Sequence, residues 1–406
     1  MHKHYFRCSS PQPRELTNIE ALQKKMFMEM EETVGEIRGE TDIPGLRLDF
    51  NVGLRLDIPS GDYHISISDA ISHTIFFNED IHSVRLISLE KYAIPWQIDI
   101  WESGVHIFSH TFDPTGQNII FHCSSMALGD TLAFLPYALK YKKQYNCHVS
   151  CYVHESLREL VNFLYPDIPQ VDSITDTYAT YYLGTWNCGP YGAPFDGRTY
   201  PLWMAAGPLV GLEATAPKVS KKFTEPPSIL EPYICIGVQA STPRKGWLFP
   251  NGWNIVVREL KKFGYRVLCI DRHTLTRADG YEIICPEEAE DLTGDIPLID
   301  RAKLLSHAKC FVGLSSGLAW VADAVDCPVV IVSGMSESYY EFPNHYRAIN
   351  RLVCHGCFND NKVNFMQDQV CPYYHGTDRE LECAKKITPA AVLHAIDQAL
   401  NQQVSV

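Results

Sequence analysis

From Gly116 onward, short apolar runs alternate with segments of helical period, and this alternation restricts the fold more than any single residue does. NIIFHCSS reads as a buried strand. It passes through a small-residue turn into GDTLAFLPYALKYKKQY, a helix. CHVSCYVH and ESLRELVNFLYP repeat the pair. The pattern resumes after a Pro-rich stretch at residues 221–232, which reads as a linker. YICIGVQAST, YRVLCID, CFVGLSS and PVVIVSG are strands there, and WNIVVRELKKFG, PLIDRAKLLSHA and GLAWVADAVD are helices. Such alternation builds parallel sheets with helices on both faces. The fold class expected is therefore α/β, with two doubly wound, Rossmann-like domains.

Residues 44–112 behave differently. LRLDF, GLRLDIP, DYHISIS, HTIFFN, WQIDIW and VHIFSH alternate apolar and polar residues over short runs, the pattern of a small antiparallel sandwich or barrel. ALQKKMFMEMEETVGEI before them reads as a short helix. The expected layout is a β-rich domain over 1–112, a first Rossmann-like domain over 113–228 and a second over 229–406. Residues 176–215 read as a long aromatic- and glycine-rich loop with short elements, of the kind that borders sites. Its Tyr181, Tyr182, Trp186 and Tyr191 are packing residues first and groove-lining candidates second.

The net charge of -13 disfavours a nucleic-acid binder, because phosphate neutralisation needs clustered Lys and Arg. No apolar run has the length of a membrane span, and the first residues lack the apolar core of a signal peptide. A cytoplasmic protein is expected. Ten of the fourteen cysteines stand singly in apolar or strand-like stretches, as buried thiols do in a reducing compartment.

Ligands of open parallel sheets bind outside the C-terminal strand ends. Three strand-to-helix junctions carry suitable residues. In SSMALGDTLAFLP, Asp130 stands at a helix start, as an N-cap or as a general base facing a cleft. Asp99, Asp113, His106, His110 and His122 flank this junction and fit solvated or strand-end roles. In GVQASTPRKGWLF, the hydroxyls of Ser241 and Thr242 and the ammonium of Lys245 suit a diphosphate. In FVGLSSGLAWVADAV, Ser315, Ser316 and Gly317 turn into a helix whose first N–H groups suit an anion. Asp271, after RVLCI, stands where a ribose contact or a strand-end cap is expected. Asp291 and Thr293 in EDLTG are further nucleotide-side candidates. G-x-G-x-x-G, Walker A and D-x-D sequences are absent, so a diphosphate would be stabilised by Lys245 and backbone donors without Mg²⁺.

Four cysteines near the C-terminus have ligand spacing. Cys354 and Cys357 form C-x2-C, Cys371 follows after thirteen residues and Cys383 after eleven more. Four thiolates suit a tetrahedral iron or zinc in a finger over 350–387, and leave that ion no open position for catalysis.

At these junctions the chain resembles the ADP-heptose transferases of lipopolysaccharide synthesis. SSMALGDTLAFLP matches their first strand–turn–helix, ASTPRKGW their lysine segment, and EDLTGDIPLIDRAKLLSHAKCFVGLSSGLAWVADAVDCPVVIVSG their C-terminal pattern. Ser315-Ser316 departs from the usual Asp-Thr or Asp-Ser. CHGCFNDNKVNF and CPYYHGTDRELECAKKIT resemble the bacterial autotransporter heptosyltransferases. The resemblance covers roughly residues 44–400. It implies an N-terminal β domain, two halves of GT-B type, an iron finger and a dodecameric ring. It implies inverting transfer of heptose from ADP-heptose to serines of an autotransporter adhesin. Asp130 corresponds to the family's catalytic aspartate, Lys245 to its phosphate lysine, and Cys354, Cys357, Cys371 and Cys383 to its iron ligands. Phe358, beside the C-x2-C, packs the finger or touches substrate. Two other classes remain open at this point: an iron–cysteine redox protein, and a non-catalytic adhesin-assembly factor.

Overall fold

The computed structural model describes residues 2–8, 18–123, 127–184, 192, 195–215, 218–278, 280–343, 345–363 and 370–401. β1 (His2–Phe6) and α1 (Asn18–Val34) come first, and α1 lies three residues toward the N-terminus of the helix expected. β2 (Arg47–Asn51), β3 (Arg55–Asp57), β4 (Asp62–Asp69), β5 (Ile75–His82), β6 (Val84–Ser88), β7 (Trp96–Glu102) and β8 (Val105–Thr111) follow. They do not close into one sandwich or barrel; they divide between two sheets. β5-β4-β7-β8 is antiparallel. Its period-two pattern buries Ile65 and Ile67 of β4 and Ile98 and Ile100 of β7 on one face.

The next segment brings β9 (Asn118–Cys123), α2 (Leu128–Phe134), α3 (Pro136–Tyr145), β10 (His148–Val153), α4 (Arg158–Leu164), β11 (Ala179–Tyr182) and α5 (Leu202–Leu209). The single helix expected after β9 is two. Pro136 has no N–H with which to continue α2, so Leu135 ends one helix and caps the next. The remaining early strands join this half in one sheet of order β1-β6-β3-β2-β11-β9-β10. β11 pairs in parallel with β9 on one side and β2 on the other, with Ala179 opposite Phe50. The sheet therefore runs across the boundary expected at 112/113. Buried charge holds α1 to it: Glu31 receives Lys3 at 2.5 Å and Arg55 at 3.5 Å, and Arg55 reaches Asp49 at 2.6 Å.

The second half contains β12 (Tyr233–Gly237), α6 (Gly252–Lys262), β13 (Arg266–Cys269), β14 (Leu275–Ala278), β15 (Tyr281–Ile284), β16 (Glu290–Asp291), α7 (Leu298–His307), β17 (Phe311–Gly313), α8 (Gly317–Ala324), β18 (Val329–Val332), β19 (Tyr346–Ala348), α9 (Glu382–Lys385) and α10 (Pro389–Asn401). Its parallel sheet has the order β16-β13-β12-β17-β18-β19, and β14 and β15 form a separate hairpin. β12 and β18 are buried along their whole length, as strands covered on both faces must be.

The stretch read as a linker is strapped down at its start. Phe223 stacks on Phe163 at 3.9 Å, its N–H donates to Ser306 Oγ at 3.0 Å, and the Lys221 N–H donates to the Ala324 carbonyl at 2.9 Å. One hydrophobic cluster continues from Phe121 in the first half to Trp320 and Phe342 in the second.

Candidate functional site

The three junctions singled out in the sequence lie at the C-terminal ends of β9, β12 and β17. Two glycines bring the first and third together. A Cβ on Gly317 would stand 2.6 Å from Leu128 Cβ, and one on Gly129 would stand 3.1 Å from the Trp320 ring. The first turns of α2 and α8 therefore meet across the halves, at a separation that a side chain at 317 would force apart and one at 129 would crowd.

Asp130 is half-buried in the first turn of α2. The residue preceding that helix is Ala127, so Asp130 is inside the helix and is not its N-cap. Beside it, Thr131 is 1% exposed and its Oγ1 has no hydrogen-bond partner among the described residues. The turn at 124–126 lies outside the described residues.

Lys245 ends a 3₁₀ turn, Pro243–Lys245, closed by the Lys245 N–H donating to the Thr242 carbonyl at 3.1 Å. Burial pulls its ammonium below the usual lysine range, and the charges of Asp130 and Glu341 act against that. Asp130 and Lys245 therefore share one electrostatic neighbourhood, although they sit on opposite halves of the chain. Thr242 Oγ1 is buried in the same turn without a partner among the described residues, whereas Ser241 is exposed. Buried orphan hydroxyls are uncommon and mark places where a ligand or water completes the bonding.

Ser316 is the residue before α8, and its hydroxyl makes no cap bond. The first N–H groups of α8 therefore face the junction without a cap from Ser316. Ser315 has turned the other way. It is 8% exposed and its hydroxyl acts on the carboxylate of Glu341, which accepts Ser336 Oγ at 2.7 Å and Arg347 Nη1 at 2.7 Å. Burial raises the Glu341 carboxyl, but Arg347 and the two serines outweigh it and hold the group below the usual glutamate range. Glu341 is thus a buried anion behind the α8 start and beside Lys245. In the sequence SESYYEFPNHY, Glu341 carries no spacing signal that marks it out.

The other nucleotide-side candidates separate. Asp271 is 2% exposed, and its carboxylate accepts the N–H groups of Val238 at 2.6 Å and Gln239 at 3.3 Å. It fills the strand-end role, holding the loop that leads from β12 to Ser241. Asp291 is exposed, accepting the Thr293 N–H at 2.9 Å and the Thr274 hydroxyl at 3.3 Å. Thr293 lines an open groove of about 530 Å³ with Arg272, Thr274 and Asp295.

Of the histidines flanking the first junction, His122 lies at the end of β9. It stacks parallel to Tyr152 at 4.5 Å and against Tyr182 at 4.6 Å. His106 pairs with Asp99 at 3.0 Å on β8 and β7, His110 bonds Tyr178, and Asp113 accepts the Thr115 N–H. Trp186 and Tyr191 lie outside the described residues. Tyr181 bonds Tyr141 and so packs inward.

Burial pushes the His122 imidazole down to about 4 from 6.5. A histidine depressed in the fold contributes stability that is complete above the unfolded value and is lost as pH falls toward the folded one. Unfolding free energy should therefore drop between pH 6.5 and 4, by on the order of 3 kcal/mol from this group. His122→Phe should remove that part of the acid loss in urea titrations at pH 4.5 and 7; an unchanged loss would assign it elsewhere.

Cys354, Cys357, Cys371 and Cys383 line one cavity of about 10 Å³, the space a single water or ion needs. No group of three donors stands at metal-ligand spacing among the described residues. The thiols of Cys357 and Cys383 are nonetheless pushed up to about 12, by burial and then by the neighbouring thiolates. Only a cation makes four thiolates in one buried space favourable, so the donor set suits a thiophilic metal. The C-x2-C turn depends on Gly356, whose φ is +71° and whose missing Cβ leaves room for Glu337. Phe358 stacks edge-on against Tyr340 at 4.8 Å, a packing role.

The chain is similar to proteins of known family. Residues 44–104 match the family "Glycosyltransferase TibC, N-terminal domain", and residues 209–364 match "Glycosyltransferase family 9 (heptosyltransferase)". The chain is 35% identical to the autotransporter heptosyltransferase BAHTCr of Citrobacter rodentium, over 85% of this chain and 86% of that one. It is 33% identical to autotransporter heptosyltransferase TibC of Escherichia coli O78:H11, over 87% and 90%. At 31% identity, over 87% and 85%, stands the inactive autotransporter heptosyltransferase BimC of Burkholderia thailandensis. The crystal structure of iron-containing dodecameric TibC superposes with a TM-score of 0.84 at 32% identity, over 90% of this chain and 98% of that one. TibC in complex with ADP-D-beta-D-heptose gives 0.83 at the same identity and coverage. The E. coli ADP-heptose lipopolysaccharide heptosyltransferase II, at 0.51 and 14% identity over 71% and 99%, shares the fold alone.

Proposed function

This chain belongs to the autotransporter heptosyltransferases, and from that premise we propose that it moves heptose from ADP-heptose to serine hydroxyls of an autotransporter adhesin. The observation that carries the reading is the mutual charge field of Asp130 and Lys245, set on opposite halves and joined where Gly129 and Gly317 let α2 and α8 touch. A general base and a leaving-group cation facing one crevice are what a glycosyl transfer without Mg²⁺ requires. One relative is inactive, so membership alone does not secure turnover; the site must supply it.

In this reading the serine Oγ attacks the anomeric carbon as Asp130 takes its proton. The bond from that carbon to the β-phosphate oxygen breaks, and ADP leaves with the electron pair. Lys245, the Thr242 hydroxyl and the first N–H groups of α8 take up the charge. A single displacement inverts the anomeric centre. Glu341 fixes Ser315 and the α8 start from behind, and Asp271 fixes the loop that carries Ser241. The nucleoside end points toward the groove at Thr293.

Cys354, Cys357, Cys371 and Cys383 would hold one iron, with zinc the alternative ion. With four protein ligands the metal supplies folding energy and no reaction step. A homo-oligomer, a dodecamer by likeness to TibC, belongs to the same reading. So does a cytoplasmic site of transfer, where nucleotide sugars are made. No described helix is long and apolar enough to cross a membrane.

The test incubates the purified protein with ADP-heptose and a passenger fragment and weighs the fragment intact. A gain of one heptosyl residue per modified serine is expected. An unchanged fragment, from a preparation that binds ADP-heptose, would reduce the protein to an adhesin-assembly factor.

A further inference from the structure

The finger and the lysine turn are not independent parts. Arg244 and Lys245 are consecutive in the 3₁₀ turn and serve different sites. Arg244 lines the cavity that holds all four cysteines, and its charge acts on Cys357. Lys245 lies in the field of Asp130 and Glu341. The chain just beyond the turn is stitched to the finger: the Leu248 N–H donates to the carbonyl of Ala384, next to Cys383, at 3.0 Å. Trp247 Nε1 donates to the Ile387 carbonyl at 2.8 Å. On its other side the finger hangs on the segment after β18, by Gly356 N–H to the Gly334 carbonyl at 2.8 Å and Phe358 N–H to the Met335 carbonyl at 3.0 Å. That segment continues to Ser336 and Glu341, the anion beside Lys245.

We infer that Arg244 is a positioning residue: its guanidinium pairs with the charge of the loaded cysteine cluster, and through it the metal knuckle sets where Lys245 meets the donor diphosphate. The inference rests on the reading above, in which the cysteines hold a metal and Lys245 the diphosphate. Four thiolates around a di- or trivalent ion keep a net negative charge, and a buried anion needs a paired cation. Arg supplies that charge on a planar fork that holds its own backbone in one orientation, which a flexible ammonium does not. Groups that support a metal's ligands typically contribute 10–100-fold to affinity or activity.

The test uses the full-length, metal-loaded protein and two variants, Arg244→Gln and Arg244→Lys. Metal content, the thiolate-to-metal absorption band and ADP affinity by calorimetry are read on each. Arg244→Gln should shift the band and weaken ADP binding by ~10-fold or more, and Arg244→Lys should fall between it and the wild type. In a Lys245→Met background, adding Arg244→Gln should change ADP affinity by less than about twofold, because the positioned group is gone. A packing role would leave the band unmoved and the two losses additive; either result overturns the inference. If Arg244→Gln does not fold, the Arg244→Lys band and affinity decide in the same way. Wild-type protein that binds ADP equally well with and without its metal overturns the coupling alone. Wild-type protein that binds no ADP at all overturns the donor-site reading and this inference with it.

Discussion

Asp130→Ala is expected to lower heptosyl transfer by ~10²–10⁴-fold, the range for loss of a general base, while the thermal transition stays within a few degrees of wild type. Asp130 is half-buried in the first turn of α2 and does not cap that helix, so its removal leaves the fold's main contacts in place. The loss should appear in kcat, because the base acts only as the serine oxygen attacks. ADP affinity should hold or tighten, since a carboxylate near the diphosphate repels it. Intact-mass assays under single-turnover conditions measure the first effect and calorimetry the second. Near-normal transfer by the alanine variant would remove Asp130 from its role and direct attention to the hydroxyl of Thr131, which has no partner among the described residues.

Lys245→Met is expected to lower kcat by ~10²–10³-fold, as removal of one leaving-group stabiliser does, and to weaken ADP binding as well. Methionine keeps most of the length and removes the charge. The two variants should thus part company. Asp130→Ala keeps the nucleotide and loses the chemistry, whereas Lys245→Met loses both. Burial holds the Lys245 ammonium below its ordinary range, and a bound diphosphate would stabilise its charged form. ADP binding should therefore take up a proton at alkaline pH, visible as a buffer-dependent binding enthalpy that Lys245→Met abolishes. Equal ADP affinity in the two proteins would place the phosphate contact elsewhere.

Much of this was legible in the order of residues. The alternation after Gly116 marked the parallel pair β9–β10 and the parallel sheet of the second half, and the small-residue turns marked the strand ends where Asp130, Lys245 and Gly317 stand. Such signals are local, because strand, turn and helix start lie within a dozen residues. What escaped is set by partners distant in sequence. Nothing near Phe50 announces that it will pair with Ala179. Ser315 and Ser316 are identical in a sequence, yet one turns inward to Glu341 while the other precedes α8. Asp271 follows a strand as a ribose ligand would, and only the structure shows that it also holds the N–H groups of Val238 and Gln239. The prolines of 221–232 suggested a linker, and the rings of Phe163 and Phe223 hold its beginning.

The shared sheet of the first half bears on how deletion experiments are read. β2 supplies one neighbour of β11, and β3, β6 and β1 extend from it. Cutting away residues 1–112 would bare the N–H and C=O groups along that flank of β11 and invite self-association. An inert, aggregating remnant would then say nothing about whether the amino-terminal strands recognise the adhesin. Point changes on solvent-facing side chains of β4 and β7, which spare the backbone ladder, keep the two questions apart.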